Sequence, residues 1–368
     1  MLQVVLSLNP GGTERLVVEI VRRLGSELPM AVCCLDEEGA WGEELKADGI
    51  SVKALRRGAG FRPMIGRAIA QFAVAHDIDV LHCHHYSPFV YGCLARAWRR
   101  NLRVIFTEHG RLSDAAPSRK RRAANMGLSR APHQVVAVSA DLRRHLVAEG
   151  FPEHQVDVVY NGIPVGPAPD ATSRSCARRV FAVSDQTIVV GTIARLDPVK
   201  DLDTLVRAVA SLSHRLPIML AVIGDGAERH ALEELSARTP ATVRFLGHRD
   251  DARQLLAGCD AYANSSIHEG ISLTILEAMA ARLPIVATRV GGTPEIIDAS
   301  CGRLVPPRDP GAMAGALSAL ASDSGLRDDL GRAARRQVEE RFTIERMVDE
   351  YRGAYDRAAS QSASMRVA

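Results

Sequence analysis

The 368-residue sequence has no apolar run near the ~18 residues that a membrane-spanning helix needs. It has no Cys-x-x-Cys pair, and its seven cysteines (Cys33, Cys34, Cys83, Cys93, Cys176, Cys259 and Cys301) are odd in number. Several stand in apolar, strand-like runs, so they read as reduced core thiols rather than disulfides or zinc ligands. A charge of one sign is also missing. The 46 Lys and Arg residues against 43 Asp and Glu leave +3, too little to imply a nucleic-acid partner. No short-period repeat is visible, and the first residues read as a strand with no signal-peptide pattern. These absences lead us to expect a cytoplasmic protein.

What is present is an ordinary globular composition, 46% apolar and 24% charged. The length exceeds one ordinary core, so two domains are expected. Short apolar runs alternate with helical spacings: Leu2–Leu8, Met30–Leu35, Val52–Leu55, Asp79–His82, Arg103–Thr107, Gln134–Val138 and Val156–Val159 read as strands. Such alternation implies parallel sheets covered on both faces. Three prolines in Pro164–Pro169 and the polar run Asp170–Arg179 then interrupt it, and Thr187–Ile193 restarts it. The expected organisation is a first Rossmann-like domain over 1–165 and a linker over 166–186. A second such domain then covers 187–342, and a terminal helical segment covers 343–368, frayed from Ser360. In sheets of this kind ligands bind beyond the carboxyl ends of the strands.

The stretch Ser265 to Met279 follows a strand and opens a helix, with Glu269 in the loop and Glu277 one turn beyond Leu273, about 6 Å along the axis. A helix N-terminus between two carboxylates is an anion site. A diphosphate seated there would put one carboxylate beside a sugar and the other beside a ribose, and carboxylates accept from hydroxyl pairs. A loop cap at Glu269 and a surface ion pair at Glu277 are the plainer alternative. The cluster His82, His84 and His85 admits a metal reading. Without a nearby carboxylate it reads better as strand-end polar contacts, with His84 lining an acceptor side, and no metal is expected. Between Arg96 and Arg130 ten basic residues face two acids, Glu108 and Asp114. That stretch is either a solvated helix face or a patch for anionic lipid or a phosphate-bearing acceptor.

The run around Glu269 and Glu277, with Leu276-Glu277-Ala278-Met279-Ala280 and Pro284-Ile285-Val286-Ala287-Thr288, resembles the signature of glycosyltransferase family 4. These are retaining enzymes with two Rossmann-like domains facing across a cleft, the GT-B fold. Gly191 to Lys200 resembles that family's strand-end motif. There Arg195 would give a planar fork to phosphate oxygens and Lys200 a mobile point charge. Both would offset charge growing on the leaving diphosphate, although a surface ion pair of either with Asp197 or Asp201 is the plainer alternative. Pro10 to Arg15 resembles the N-terminal glycine loop, where Gly11 and Gly12 would let the backbone approach a ligand. It is not the Gly-x-Gly-x-x-Gly dinucleotide fingerprint. Thr107-Glu108-His109-Gly110 resembles a segment whose histidine faces the donor sugar, so His109 would bond a sugar hydroxyl or help to orient the acceptor, a capped loop histidine being the plainer alternative. Val222 to Gly226 resembles the turn that passes the nucleotide at Gly224, Phe245-Leu246-Gly247 the segment that packs on the base at Leu246, and Gly291 to Glu295 the turn after the next strand. The resemblance runs from about Val4 to Tyr351. The sequence departs from the family at Arg282 and Asp201, both usually glycine; Asp201 reads here as an N-cap.

The resemblance implies transfer of a hexose-type sugar from a nucleotide diphosphate sugar with retention, uridine being the expected nucleotide and guanosine next. Glu269 would bind the sugar, with His109, Arg195 and Lys200 completing the catalytic set. Main-chain groups of Gly270, Ile271, Ser272 and Leu273 would hold phosphate, and Glu277 the ribose. No cofactor beyond the donor substrate is expected. The expected acceptor is a polysaccharide or a lipid-linked sugar, with peripheral contact at the inner, anionic face of the cell membrane. A non-catalytic nucleotide-sugar binder, an epimerase or a phosphorylase-like enzyme of the same fold are the rivals.

Overall fold

Strands buried at every residue can only sit inside a sheet covered on both faces, and six strands of this chain are of that kind. The computed structural model describes residues 1–111 and 119–367; Asp114 and Ala368 lie outside them. In chain order the strands are β1 Leu2–Val5, β2 Ala31–Cys34, β3 Ser51–Ala54, β4 Val80–His84, β5 Arg103–Glu108, β6 Pro132–Ala137 and β7 Val156–Val158. There follow β8 Ile188–Ile193, β9 Ile218–Ile223, β10 Thr242–Phe245, β11 Ala261–Asn264, β12 Ile285–Thr288 and β13 Gly302–Val305. β1, β2, β4, β9, β11 and β12 are buried at every residue. The edge strands β3 and β10 instead alternate exposed and half-buried, as one solvated face requires.

The chain divides into two compact units, Met1–Gly162 with the segment from Ile344 onward, and Ile163–Thr343. The first holds a seven-stranded sheet in the order β3-β2-β1-β4-β5-β6-β7, the second a six-stranded sheet in the order β10-β9-β8-β11-β12-β13. All the pairings are parallel. Each order reverses direction once, between β1 and β4 in the first sheet and between β8 and β11 in the second. Loops leaving those neighbouring strands diverge to opposite faces and open a crevice, where such sheets bind ligands. In the second unit the helix Leu202–Leu212 and the helix Pro310–Ser322 cover one face, packing Leu205, Val209 and Leu317 on Leu220, Val222 and Val286. Each such buried side chain contributes about 1.5–3 kcal/mol.

One sequence expectation is corrected. Residues 166–186 do not form a simple linker, because Ala171–Phe181 is a helix whose N-cap, Asp170, accepts from the Ser173 N–H at 2.8 Å. Its polar run looks solvated in sequence, yet Arg174 and Arg178 reach Asp260 at 2.6 and 3.2 Å, and Ala177 and Phe181 are buried. The short strand β13 has no counterpart in the sequence reading, its run Gly302–Val305 being too brief and too mixed to register. The final helix runs from Ile344 to Val367. The two chain crossings lie side by side, since Ile163 pairs in parallel with Thr343 and its N–H donates to the Phe342 carbonyl at 3.0 Å.

Candidate active site

In the second unit the loops after β8 and β11 meet at the crevice. Lys200, in the turn after β8, donates its ammonium to Glu269 Oε1 at 2.7 Å. The same oxygen accepts from Asn264 Nδ2 at 3.2 Å and from the Ser266 hydroxyl at 2.7 Å. The Glu269 side chain is 9% exposed and that of Lys200 is 23% exposed, so the pair is largely withdrawn from water without being sealed. Two further bonds tie the loops together: the Ser265 hydroxyl donates to the Lys200 carbonyl at 2.8 Å, and the Ile267 N–H to the Val199 carbonyl at 2.9 Å. Arg195 is not part of this pair. It is 75% exposed and bonds its neighbour Asp197, as a strand-end cation does when nothing else holds it.

Gly270 to Leu273 lead into the helix Leu273–Ala280, and Ser272 caps it by accepting from the Ile275 N–H. The first N–H groups of a helix have no partners within it, so this terminus gathers donors beside Glu269. Glu277 lies in that helix and is only 4% exposed, a buried carboxylate rather than a surface one. Tyr262, unremarked in the sequence, sits beneath: its hydroxyl donates to Thr274 Oγ1 at 2.8 Å and accepts from the Ile193 N–H at 3.3 Å. It pins the helix start to the end of β8, and burial pushes its phenol well above the ordinary range.

Several glycines prove to serve loop packing rather than an open approach. At Gly224, φ is +134° and a β-carbon would stand 1.9 Å from the Ala194 carbonyl oxygen. That glycine seats the turn against the residue before Arg195, and Gly224 N–H donates to the Gly247 carbonyl at 2.8 Å beside Leu246, which is half-buried. At Gly291, φ is +51° and a β-carbon would stand 1.8 Å from the Glu269 carbonyl oxygen. The family's two usual glycines also find their explanation. Asp201 has φ +46° and Arg282 φ +60°, both in the left-handed region that favours glycine. Asp201 stands at the N-cap position but makes no capping bond to the backbone; its carboxylate accepts from the Thr204 hydroxyl at 2.8 Å instead.

In the first unit, the glycine loop after β1 faces the ends of β4 and β5. Gly11 is extended, φ −165°, and caps the helix Gly12–Leu24. A β-carbon there would meet the Glu14 carboxylate at 2.3 Å, so the space beside Gly11 is taken by a side chain of its own helix. The loop is braced from β2: Asn9 Nδ2 donates to Glu37 Oε1 at 2.6 Å, and a β-carbon on Gly39 (φ +69°) would fall 2.5 Å from the Leu8 carbonyl carbon. Thr13 Oγ1 lies 3.0 Å from His85 Nε2, and His85 Nδ1 lies 3.0 Å from Glu108 Oε1, which also accepts from the His109 N–H at 3.1 Å. His109 Nε2 lies 3.0 Å from His84 Nδ1. Burial holds His84 and His109 well below the ordinary imidazole range and lowers His82 to about 3. His82 and His84 are thus engaged with protein groups, and among the described residues no group of three His, Cys, Asp or Glu side chains could hold a metal ion.

Residues 10–166 match the profile of Glycosyltransferase Family 4, and residues 187–323 that of Glycosyl transferases group 1. The D-inositol 3-phosphate glycosyltransferase of Salinispora arenicola is 32% identical over 302 residues, spanning 74% of this chain and 67% of the relative. The chain belongs to glycosyltransferase family 4. The N-acetyl-alpha-D-glucosaminyl L-malate synthase of Bacillus anthracis is 28% identical over 297 residues, covering 78% of this chain and 77% of that one. Among solved structures, Anabaena HepE in complex with UDP superposes with a TM-score of 0.87 at 23% identity, over 96% of this chain and 99% of that one. Sucrose-phosphate synthase from Thermosynechococcus elongatus superposes with a TM-score of 0.82 at 19% identity, over 98% and 99%. This family 4 enzyme therefore has the GT-B fold, and it is a glycosyltransferase. No helix among its described residues is long and apolar enough to cross a membrane.

Proposed function

We propose that the enzyme transfers a hexose from a uridine diphosphate sugar to an acceptor hydroxyl with retention of anomeric configuration. The observation that carries this reading is the Lys200–Glu269 pair at the switch point of the second sheet, with Asn264 and Ser266 on the same carboxylate oxygen. A carboxylate fixed on one oxygen keeps its other lone pairs directed, and a sugar offers the hydroxyl pair that suits them. Lys200 and Arg195 hold the diphosphate, the exposed Arg195 exchanging Asp197 for phosphate. The amides of Gly270 to Leu273 bind the β-phosphate, Glu277 the ribose, and Gly224 and Leu246 border the base. His109 meets the transferred sugar, and Gly11 and Gly12 border it. The acceptor oxygen bonds to the anomeric carbon as the carbon–phosphate-oxygen bond breaks, and the hydroxyl proton passes to the leaving diphosphate. HepE, whose structures contain UDP, UDP with glucose, and UDP-glucose, supports uridine as the nucleotide.

For the acceptor, the exposed cations Arg119, Lys120 and Arg122 on the helix Arg119–Leu128 favour a polysaccharide or lipid-linked sugar handled at an anionic cytoplasmic membrane face. Other members of the basic stretch are spoken for: Arg99 binds Asp79, Arg111 binds Asp141, and Arg121 binds Glu149. A small anionic acceptor is the second reading, favoured by relatives named for inositol 3-phosphate and malate.

Calorimetric titration with UDP, GDP and ADP tests the donor half. UDP binds and the Lys200→Ala protein loses at least about tenfold in affinity, as expected for a charge-assisted bond worth about 1.5–3 kcal/mol; equal binding of all three, or an unaffected variant, overturns it. The product's anomeric configuration, read by NMR after turnover of UDP-glucose, tests retention. Turnover on inositol phosphates or malate, undiminished in an Arg119→Ala/Lys120→Ala/Arg122→Ala protein, would favour the small acceptor.

A further inference from the structure

Gln3, wholly buried in β1, presents the two ends of its amide to different partners. Nε2 lies 3.1 Å from Tyr355 Oη and 3.8 Å from Met30 Sδ, and Oε1 lies 2.9 Å from His84 Nε2. The reversed amide would set its carbonyl oxygen against the thioether sulfur, acceptor against acceptor. The carbonyl therefore faces His84, and because a carbonyl only accepts, His84 Nε2 carries the proton. Burial keeps His84 neutral, so its Nδ1 is bare. That bare nitrogen is 3.0 Å from His109 Nε2, which must then carry a proton and donate it. His109 is also kept neutral by burial, so its Nδ1 holds a lone pair. Nδ1 is buried and has no hydrogen-bond partner among the described residues. Tyr355 completes the chain from the other side: it accepts from Gln3 Nε2 and donates to His82 Nδ1 at 2.7 Å, and His82 Nε2 then donates to Thr107 Oγ1 at 2.8 Å.

We propose that Gln3 is a positioning residue that, through His84, fixes His109 in the tautomer whose Nδ1 can only accept, so that the site selects a sugar bearing a hydroxyl at that contact. A sugar lacking a hydroxyl there would leave Nδ1 unmatched and be disfavoured. An unmatched buried acceptor costs about 1–3 kcal/mol, which a donated hydroxyl offsets. The relay stands on the hydrogen bonds above; its meaning for the sugar rests on the reading that His109 meets the donor sugar.

The two can fail separately. In protein labelled with 15N-histidine, two-bond proton–nitrogen correlations distinguish the tautomers, and His84→Asn and His109→Asn variants assign the signals. We expect both rings protonated at Nε2 and bare at Nδ1, and Gln3→Met to redistribute the His109 proton between its nitrogens. Wild-type His109 protonated at Nδ1 overturns the relay, a result that needs no variant to fold. An unchanged His109 pattern in a folded Gln3→Met protein overturns the role of Gln3. With UDP-glucose as donor, Gln3→Met should lower turnover about tenfold while leaving UDP affinity unchanged, because UDP is held by the second unit. Among UDP-deoxyglucose donors, the one that lacks the contacting hydroxyl should be poorer than UDP-glucose in wild type and gain on it in the variant; a series in which no donor behaves so overturns the selectivity. If the tautomers are as stated but His109→Asn leaves UDP-glucose turnover unaltered, the His109–sugar reading fails, and the sugar selectivity fails with it.

Discussion

At the residue scale, left-handed backbone positions decide more than side-chain identity does. Gly291 and Gly224 stand where any β-carbon would overlap a carbonyl oxygen of the very loops that carry Glu269 and Arg195. Gly291→Ala must push the Glu269 loop away, since the neighbour is backbone and cannot swing aside. We expect it to lower turnover by more than tenfold and stability by about 1–3 kcal/mol, checked by steady-state kinetics and urea unfolding. Arg282 makes the opposite case. It is exposed and holds φ +60° at a place where the family has glycine. Left-handed backbone costs an L-residue about 1–2 kcal/mol, and glycine's extra unfolded-state freedom offsets about half of that. Arg282→Gly should therefore raise stability by about 0.5–1 kcal/mol, visible as a higher midpoint in urea, with turnover unchanged.

At the element scale, strand ends could be read in the sequence but not what meets them. Apolar runs announce β1, β4, β8 and β11, and cations and carboxylates that follow such runs belong to the crevice, which is why Lys200 and Glu269 could both be placed at one site from the sequence, though not as each other's partner. The partners that arrange them carry no local signal. Tyr262 looks like a core aromatic inside β11, and Gly39 looks like an ordinary turn. The polar helix Ala171–Phe181 looks like a linker because Asp260, which holds its arginines, lies more than 80 residues further along. The histidines at the ends of β4 and β5 have a consequence for acid stability. Burial lowers the folded-state pKa of His82 to about 3 and puts His84 and His109 well below 6.5. A depressed pKa means that the unfolded chain binds more protons, so stability is full above about pH 6.5 and is lost as pH falls below it. Each histidine that stays neutral should remove about 2 kcal/mol between pH 7 and pH 5. Urea unfolding at the two values measures the loss, and a His82→Gln protein should show a smaller one.

At the scale of the whole molecule, the two units are not two stretches of sequence, because the chain returns to the first unit after finishing the second. The helix Ile344–Val367 buries Ile344, Met347, Val348, Tyr351, Ala354, Tyr355 and Ala358. Its tyrosines also satisfy groups that would otherwise lie buried and unmatched: Tyr355 meets both Gln3 and His82, and Tyr351 Oη lies 3.4 Å from Thr107 Oγ1. Residues 352 positions apart thus share one polar chain, which explains why neither Gln3 nor Tyr355 stood out in sequence. A chain ended after Thr343 loses that cover. It exposes the apolar strip beneath the helix and leaves buried amide and imidazole groups without partners, each costing about 1–3 kcal/mol, against a domain stability of only about 5–15 kcal/mol. The second unit loses nothing internal to it, since Ile163 and Thr343 still pair. Calorimetry of the shortened protein should therefore show one remaining cooperative transition, shifted upward by UDP, with residues before 163 open to proteolysis. Two intact transitions would mean that the first sheet is stable without its last helix.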